Sequence, residues 1–370
     1  MFDLVIKNAK LVDGSGVEIA VRDGKIVEIS EEVTGITGKT YDAKGSFVSA
    51  GWIDSHVHCF EKMTLYYDNP DKVGVSTGVT TVVDAGSTGE ANIHEFYQLA
   101  KQAKTNVYAL LNISKYGIVT QDELSDLSKV DEQSNVGRIQ EMQGFIIGIK
   151  VRMSKSVIGE NGSLPLEMAK ALQKKVNLPL MVHIGSAPLA LDKIFELLEP
   201  GDIITHCFNG KDNGILDESG QMKDFAVRAF ERGIHFDIGH GTDSFNFHTA
   251  KVAFDQGVKA QSISSDIYHT NRENGPVYNL ATTMEKLLQT GYTLQEVIDA
   301  VTQNAAKTLG LTTKGKLEVG MDGDFTVFDC LESEKELVDS NNNKVSIQEQ
   351  IMPKAAIVSG VIYETKRRKQ

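Results

Sequence analysis

The chain has 370 residues, 41% hydrophobic and 24% charged, with a formal net charge of -12. That length supports one large core and a smaller second one, and the acidic balance argues against nucleic acid or an anionic membrane as partner. The first residues, Met1-Phe2-Asp3-Leu4-Val5-Ile6-Lys7, do not read as a signal peptide. No apolar run has the length of a membrane span, and Cys59, Cys207 and Cys330 are too scattered for a metal-type pair, so a reduced, cytoplasmic protein acting on a small molecule is expected.

Residues 1 to about 50 read as short strands, with Asp23-Gly24 marking a hairpin between 17–22 and 25–29. Strand patterns return at 315–320, 324–329 and 355–363. A thin β layer cannot bury both faces alone, so the termini, 1–50 with 313–370, are expected to form one β-sandwich. Between them, over 51–312, strand and helix patterns alternate. Strands are expected at 47–58, 79–86, 106–113, 145–152, 179–185, 201–208, 234–241 and 261–268. Helices are expected at 90–104, 165–176, 189–198, 222–232 and 247–256. Eight strands, most followed by a helix, predict an α/β fold, a (β/α)8 TIM barrel. The basic run Lys366-Arg367-Arg368-Lys369 reads as a solvated tail.

In such a barrel the chemistry lies at the C-terminal strand ends. Those ends carry His56 and His58 on the first strand, Lys150 on the fourth, His183 on the fifth, His206 on the sixth and Asp266 on the eighth. His56 and His58 are spaced i, i+2, which puts both imidazoles on one face of a strand. Each of these residues alone has an ordinary structural explanation; together, four histidines and an aspartate suit two divalent ions, zinc foremost. A lysine ammonium has no lone pair for a metal. Beside two dications its amine should be driven neutral, and a neutral amine can take up carbon dioxide to form a bridging carbamate, an N6-carboxylated Lys150.

Arg152 shares the face of Lys150 and is a candidate for a substrate carboxylate or, equally, for a structural salt bridge. His240, in Gly239-His240-Gly241, is a candidate substrate contact. Residues 268–278 are expected as a loop forming one wall, and 208–220 as a lid or a long surface loop. His94, His235 and His248 are expected to be structural, and Cys59 and Cys207 should point away from the site.

Asp54-Ser55-His56-Val57-His58, Gly148-Ile149-Lys150, the two later histidines and Asp266 resemble the amidohydrolase superfamily, in its binuclear subtype with a carboxylated lysine. The resemblance spans nearly the whole chain and includes the turn Gly315 to Asp324. It implies that His56, His58 and Asp266 hold one ion, that His183 and His206 hold the other, and that Lys150 bridges them. A metal-bridging hydroxide would attack a polarised carbonyl while Asp266 handles the proton. Cys59-Phe60-Glu61-Lys62 lacks the early arginine of dihydroorotase-like enzymes, and Lys150 argues against adenine deamination. Gly148-Ile149-Lys150-Val151-Arg152 and Ser264-Ser265-Asp266-Ile267 are similar to bacterial metal-dependent deacetylases often labelled dihydroorotases or adenine deaminases. The expected activity is therefore cleavage of an acetyl ester or amide of a small carboxylate-bearing substrate, of the acetylated 2-hydroxy acid type. Adenine deaminase and hydantoinase-like cyclic amidase are the alternatives, with a non-catalytic barrel scaffold as a remote one. Self-association is compatible with a barrel of this size.

Overall fold

The computed structural model describes residues 1–187 and 189–366; the basic tail beyond Lys366 lies outside the described residues. The N-terminal segment forms β1 (Leu4–Lys10), β2 (Gly16–Arg22), β3 (Lys25–Ser30), β4 (Thr40–Asp42) and β5 (Phe47–Ala50). The central segment forms β6 (Trp52–Val57), β7 (Val79–Ala85), β8 (Asn106–Asn112), β9 (Ile146–Arg152), β10 (Leu180–His183), β11 (Ile203–Thr205) and β12 (His235–Asp237). The C-terminal segment forms β13 (Phe325–Glu332), β14 (Glu336–Val338), β15 (Lys344–Ser346), β16 (Glu349–Val358) and β17 (Val361–Glu364).

Strands from both termini join one eight-stranded sheet, in the order β17-β16-β13-β5-β1-β2-β3, with β4 beside β1. The sheet rolls over its own core of Leu4, Ile6, Ile19, Val48, Phe325 and Ile357. Gly323 laces its two edges together, since its amide donates to Gly24 O (2.7 Å) and its carbonyl accepts from Gly360 (2.9 Å). Asp23 and Gly24 both take positive φ, 50° and 70°, as a two-residue hairpin turn between right-twisted strands requires.

The expected first barrel strand, 47–58, is two strands. β5 pairs with β1 and β13 of the terminal sheet, whereas β6 pairs with β7 of the barrel. The switch falls at Gly51, where a Cβ would lie 2.1 Å from Thr80 Oγ1; only glycine permits that approach. Strands β6 to β12 are parallel and adjacent in sequence order. Every residue of β6 and β7 is buried, the polar Asp54, Ser55, His56 and Asp84 with the rest, as in a parallel sheet covered on both faces.

The eighth segment, 261–268, closes the ring without becoming a regular strand. Two isolated bridges, Asp237 with Ser262 and Val57 with Ile267, replace a ladder. Backbone bonds run to both neighbours, among them Gly241 N to Ser265 O (2.9 Å) and Asp266 N to His56 O (2.7 Å), and side chains add to them. Ser262 and Ser264 donate to Asp237 (2.5 and 2.7 Å), and Ser265 donates to Asp54. Asp266 itself sits at φ 49°, a left-handed conformation that no pleated strand contains.

The expected helices form as Ile93–Ala100, Leu164–Val176, Leu191–Leu197, Asp224–Glu231 and Phe247–Asp255, differing from expectation mainly at their ends. No helix among the described residues is long and apolar enough to cross a membrane. The hairpin β14–β15, inserted between β13 and β16, leaves the terminal sheet and packs on the barrel. Leu337 and Ile347 join the barrel core. Buried Asp339, at the tip, accepts from the amides of Phe247, Asn341 and Asn343 (3.0, 2.8 and 2.9 Å).

Candidate metal centre

The six predicted residues surround one cavity of about 300 Å³ at the C-terminal end of the barrel strands. Among the described residues, His56, His58 and Asp266 form a cluster able to hold a metal ion. Asp266 Oδ1 lies 3.3 Å from His56 Nε2 and 3.2 Å from His58 Nε2. His183 and His206 stand beside them, their ring centroids 4.4 Å apart and that of His206 5.2 Å from His56.

Hydrogen bonds on the far side of each ring fix which nitrogen faces inward. Thr205 Oγ1 gives its one hydrogen to Asp237 Oδ2 (2.8 Å), so it accepts from His56 Nδ1–H (2.8 Å). Ser87 Oγ gives its hydrogen to Asp84 Oδ2 (2.8 Å) and accepts from His58 Nδ1–H (2.8 Å). His206 Nδ1–H donates to Gly239 O (2.6 Å). Three Nε2 atoms are thereby left as lone-pair donors. In this tautomer the Nε2 atoms of His56 and His58 turn their lone pairs toward the Asp266 carboxylate, an arrangement that a cation among the atoms would stabilise. The donor set therefore fits a divalent metal, and the carboxylate–hydroxyl–imidazole relays are the kind of outer support that metal-bound histidines use. His183 differs: its Nε2 is 2.9 Å from Ser154 Oγ, leaving Nδ1 as the other coordinating atom.

Electrostatics agree with neutral ligands. Burial pushes His56 and His183 well below the usual histidine range, and His206 down to about 3 against the opposing pull of Asp266. Lys150 is buried, and burial lowers its amine to about 7 although Asp266 acts the other way. Its Nζ donates to His56 Nε2 (3.2 Å), lies 3.3 Å from Met181 Sδ and forms no ion pair among the described residues. With its pKa lowered to about 7, a substantial share of the amine is neutral at physiological pH, the form that reacts with carbon dioxide.

The backbone is bent to deliver these groups. His206 and Asp266 both adopt positive φ, 67° and 49°, which costs of order 1–3 kcal/mol each and is concentrated at functional sites. Gly239 and Gly241 explain the Gly-His-Gly motif. A Cβ on Gly239 would meet Thr205 Oγ1 at 2.1 Å, and one on Gly241 would meet Asp266 Oδ2 at 2.4 Å.

Of the two candidate substrate contacts, one lies off the cavity and the other on it. His240 is buried and absent from the cavity wall. Its Nδ1 donates to Gly241 O (2.8 Å), its Nε2 accepts from Lys286 (2.7 Å), and its ring stacks on Phe245. Arg152 does line the cavity, but its terminal nitrogens are taken by buried Glu123 (3.2 Å) and by Gln121 (3.0 Å). The salt-bridge alternative is what the geometry displays. The 268–278 segment contains a short helix, His269–Asn274, rather than a plain loop, and it gives Tyr268 to the wall. The 208–220 loop is pinned, with Asn213 donating to Gly185 O and Leu189 O (3.2 and 3.1 Å) and Ile215 buried. It contributes Lys211 to the wall. Cys59 and Cys207 are buried in the outer core, away from the cavity. His94 makes a surface contact with Glu141, and His235 and His248 are not part of the wall.

Sequence reasoning missed the relay residues Asp84, Ser87, Thr205 and Asp237. A signal existed: Asp84 and Asp237 are carboxylates inside otherwise apolar strand runs, where an unsupported charge would be costly. Tyr66, Tyr268 and Lys211 come from irregular loops, and no periodicity marks them.

Comparison with known proteins places the chain. The Deacetylase-like composite domain family matches residues 317–364, within the terminal sheet. A deacetylase of Enterococcus faecalis is 57% identical over 98% of this chain and 99% of its own length. Among solved structures, one described as an adenine deaminase superposes with a TM-score of 0.97 at 56% identity, covering 99% of this chain and 100% of its own. Another, described as a dihydroorotase, gives 0.92 at 35% identity and covers both chains fully. With these relatives and this barrel, the chain belongs to the amidohydrolase superfamily, among the proteins named deacetylases, and it is an enzyme.

Proposed function

We propose that this hydrolase is a deacetylase that removes the acetyl group from an ester, or an amide, of a small carboxylate-bearing compound, of the acetylated 2-hydroxy acid type. The observation that carries the metal-dependent part is the convergence of His56 Nε2, His58 Nε2 and Asp266 Oδ1, the carboxylate oxygen lying 3.3 and 3.2 Å from the two nitrogens. His56, His58 and Asp266 would hold one divalent ion and His183 and His206 a second. Lys150 would lie between them as a carbamate, formed when its neutral nitrogen bonds to carbon dioxide and releases a proton. When bound, such ions supply a water nucleophile at neutral pH and polarise the scissile carbonyl.

The chain's own groups do the rest. Asp266 accepts the proton of the attacking water and delivers it to the departing oxygen or nitrogen. Thr205 with Asp237, and Ser87 with Asp84, keep His56 and His58 in the Nδ1–H form throughout. The name of the Enterococcus faecalis relative favours deacetylation; the adenine deaminase name carried by a 56%-identical structure favours a second reading.

A substrate panel separates them. Metal-loaded enzyme is offered O-acetyl 2-hydroxy acids, N-acetyl amino acids, hydantoin-type rings and adenine. Acetate released from the acetyl compounds, and abolished by a chelator, is the expected result. Ammonia from adenine with no acetate from any ester would replace the deacetylase reading by the deaminase one.

A further inference from the structure

We propose that Lys211 is the specificity residue that recognises an anionic group, a carboxylate, on the substrate; this rests on the carboxylate-bearing substrate proposed above. Besides Lys150, the wall carries Arg152 and Lys211. Arg152 is already matched by Glu123 and Gln121. Lys211 is half-buried, and its ammonium makes no hydrogen bond or ion pair among the described residues. The carboxylates of the wall are Asp266, engaged with His56 and His58, and Asp243, exposed at the mouth; neither forms an ion pair with Lys211. A partly desolvated ammonium without a counter-charge is a binding site for an anion of the ligand.

The lysine is also held in place. Its own amide donates to Asn209 Oδ1 (3.0 Å), and Asn209 Nδ2 donates to His206 O (2.9 Å). Lys211 is therefore tied to the backbone of a metal-ligand candidate. On its other side, Gly210 packs so tightly against the β14–β15 hairpin that a Cβ there would meet Asn341 Oδ1 at 2.5 Å. Asn341 Oδ1 in turn accepts from Asn246 Nδ2 (2.8 Å). Recognition from a pinned loop fixes where the anion sits relative to the metal-side carbonyl, as substrate orientation requires.

The test is a pair of substrates that differ only in charge, O-acetyl-lactate and O-acetyl-lactamide, assayed with metal-loaded enzyme. Lys211→Met is expected to shrink the wild-type preference for the carboxylate, as a ratio of kcat/KM values, by about 10- to 100-fold, mainly through KM. Lys211→Arg should restore most of that preference. An unchanged ratio in Lys211→Met, or no preference in the wild type, overturns the proposal. Calorimetric titration of lactate against lactamide separates this from the function reading. If no acetyl ester is hydrolysed, the deacetylase reading fails, while a lactate preference lost in Lys211→Met still upholds the role of Lys211 and its persistence refutes it.

Discussion

Two of the candidate metal ligands, His56 and His58, are aimed by side chains that lie outside the cavity wall. His56 depends on Thr205, and Thr205 on Asp237, which also accepts from Ser262 and Ser264. Thr205→Val keeps the shape of the side chain and deletes the hydroxyl, so His56 Nδ1–H loses its acceptor and the ring its fixed tautomer. Metal affinity should fall by about 10- to 100-fold with the fold intact, as read by competition against a chromophoric chelator; undiminished affinity would mean that the relay only fills space. At this scale the sequence was informative where chemistry is written in residue type. His56, His58, Lys150, His183, His206 and Asp266 could be picked out because they interrupt strand-like runs at the same end. His240 satisfied the same pattern and misled, since a pattern gives a residue's place along a strand but not the packing of Phe245 and Lys286 that turns it inward.

Among elements, the hairpin β14–β15 has the least visible role in the sequence and a clear one in the fold. It leaves the terminal sheet, buries Leu337 and Ile347 in the barrel core, and braces the loops that carry Gly210 and Phe245. Its anchor is Asp339. Asp339→Ala would strand the buried amide of Phe247 and free the tip, at a cost of about 1–3 kcal/mol. Urea unfolding should register that loss, and limited proteolysis should cut within 336–346 of the variant first; an unaltered midpoint and cleavage pattern would show that the hairpin does not depend on it. The barrel strands were legible because short runs rich in Val, Ile and Leu alternate with helical patterns along the chain. The hairpin was not, because its partners lie some ninety residues away in sequence and short strands of mixed polarity carry no period.

For the molecule as a whole, the closed ring gathers buried neutral bases at its centre, and this makes the metal-free protein sensitive to acid. Take His206, with a folded pKa of about 3 against an ordinary 6.5. Between those values the unfolded chain binds a proton that the folded chain refuses, so stability falls as pH falls below 6.5. Burial pushes His56, His183 and His240 in the same direction, whereas Asp54, raised to about 7, acts oppositely. The stability of chelator-treated wild type relative to His206→Asn should therefore decline by about 1.4 kcal/mol per pH unit below 6.5. Equal pH dependence of the two proteins would show that His206 is protonated in the folded state. The eighth segment meets its neighbours through two isolated bridges and single backbone bonds, such as Gly241 N to Ser265 O (2.9 Å) and Asp266 N to His56 O (2.7 Å), and Asp266 itself is left-handed. Substitutions that forced Asp266 into extended backbone would swing its carboxylate away from His56 and His58. The irregular segment of the barrel is thus the one that carries Asp266 of the candidate metal centre, where backbone regularity and the placing of that carboxylate oppose each other.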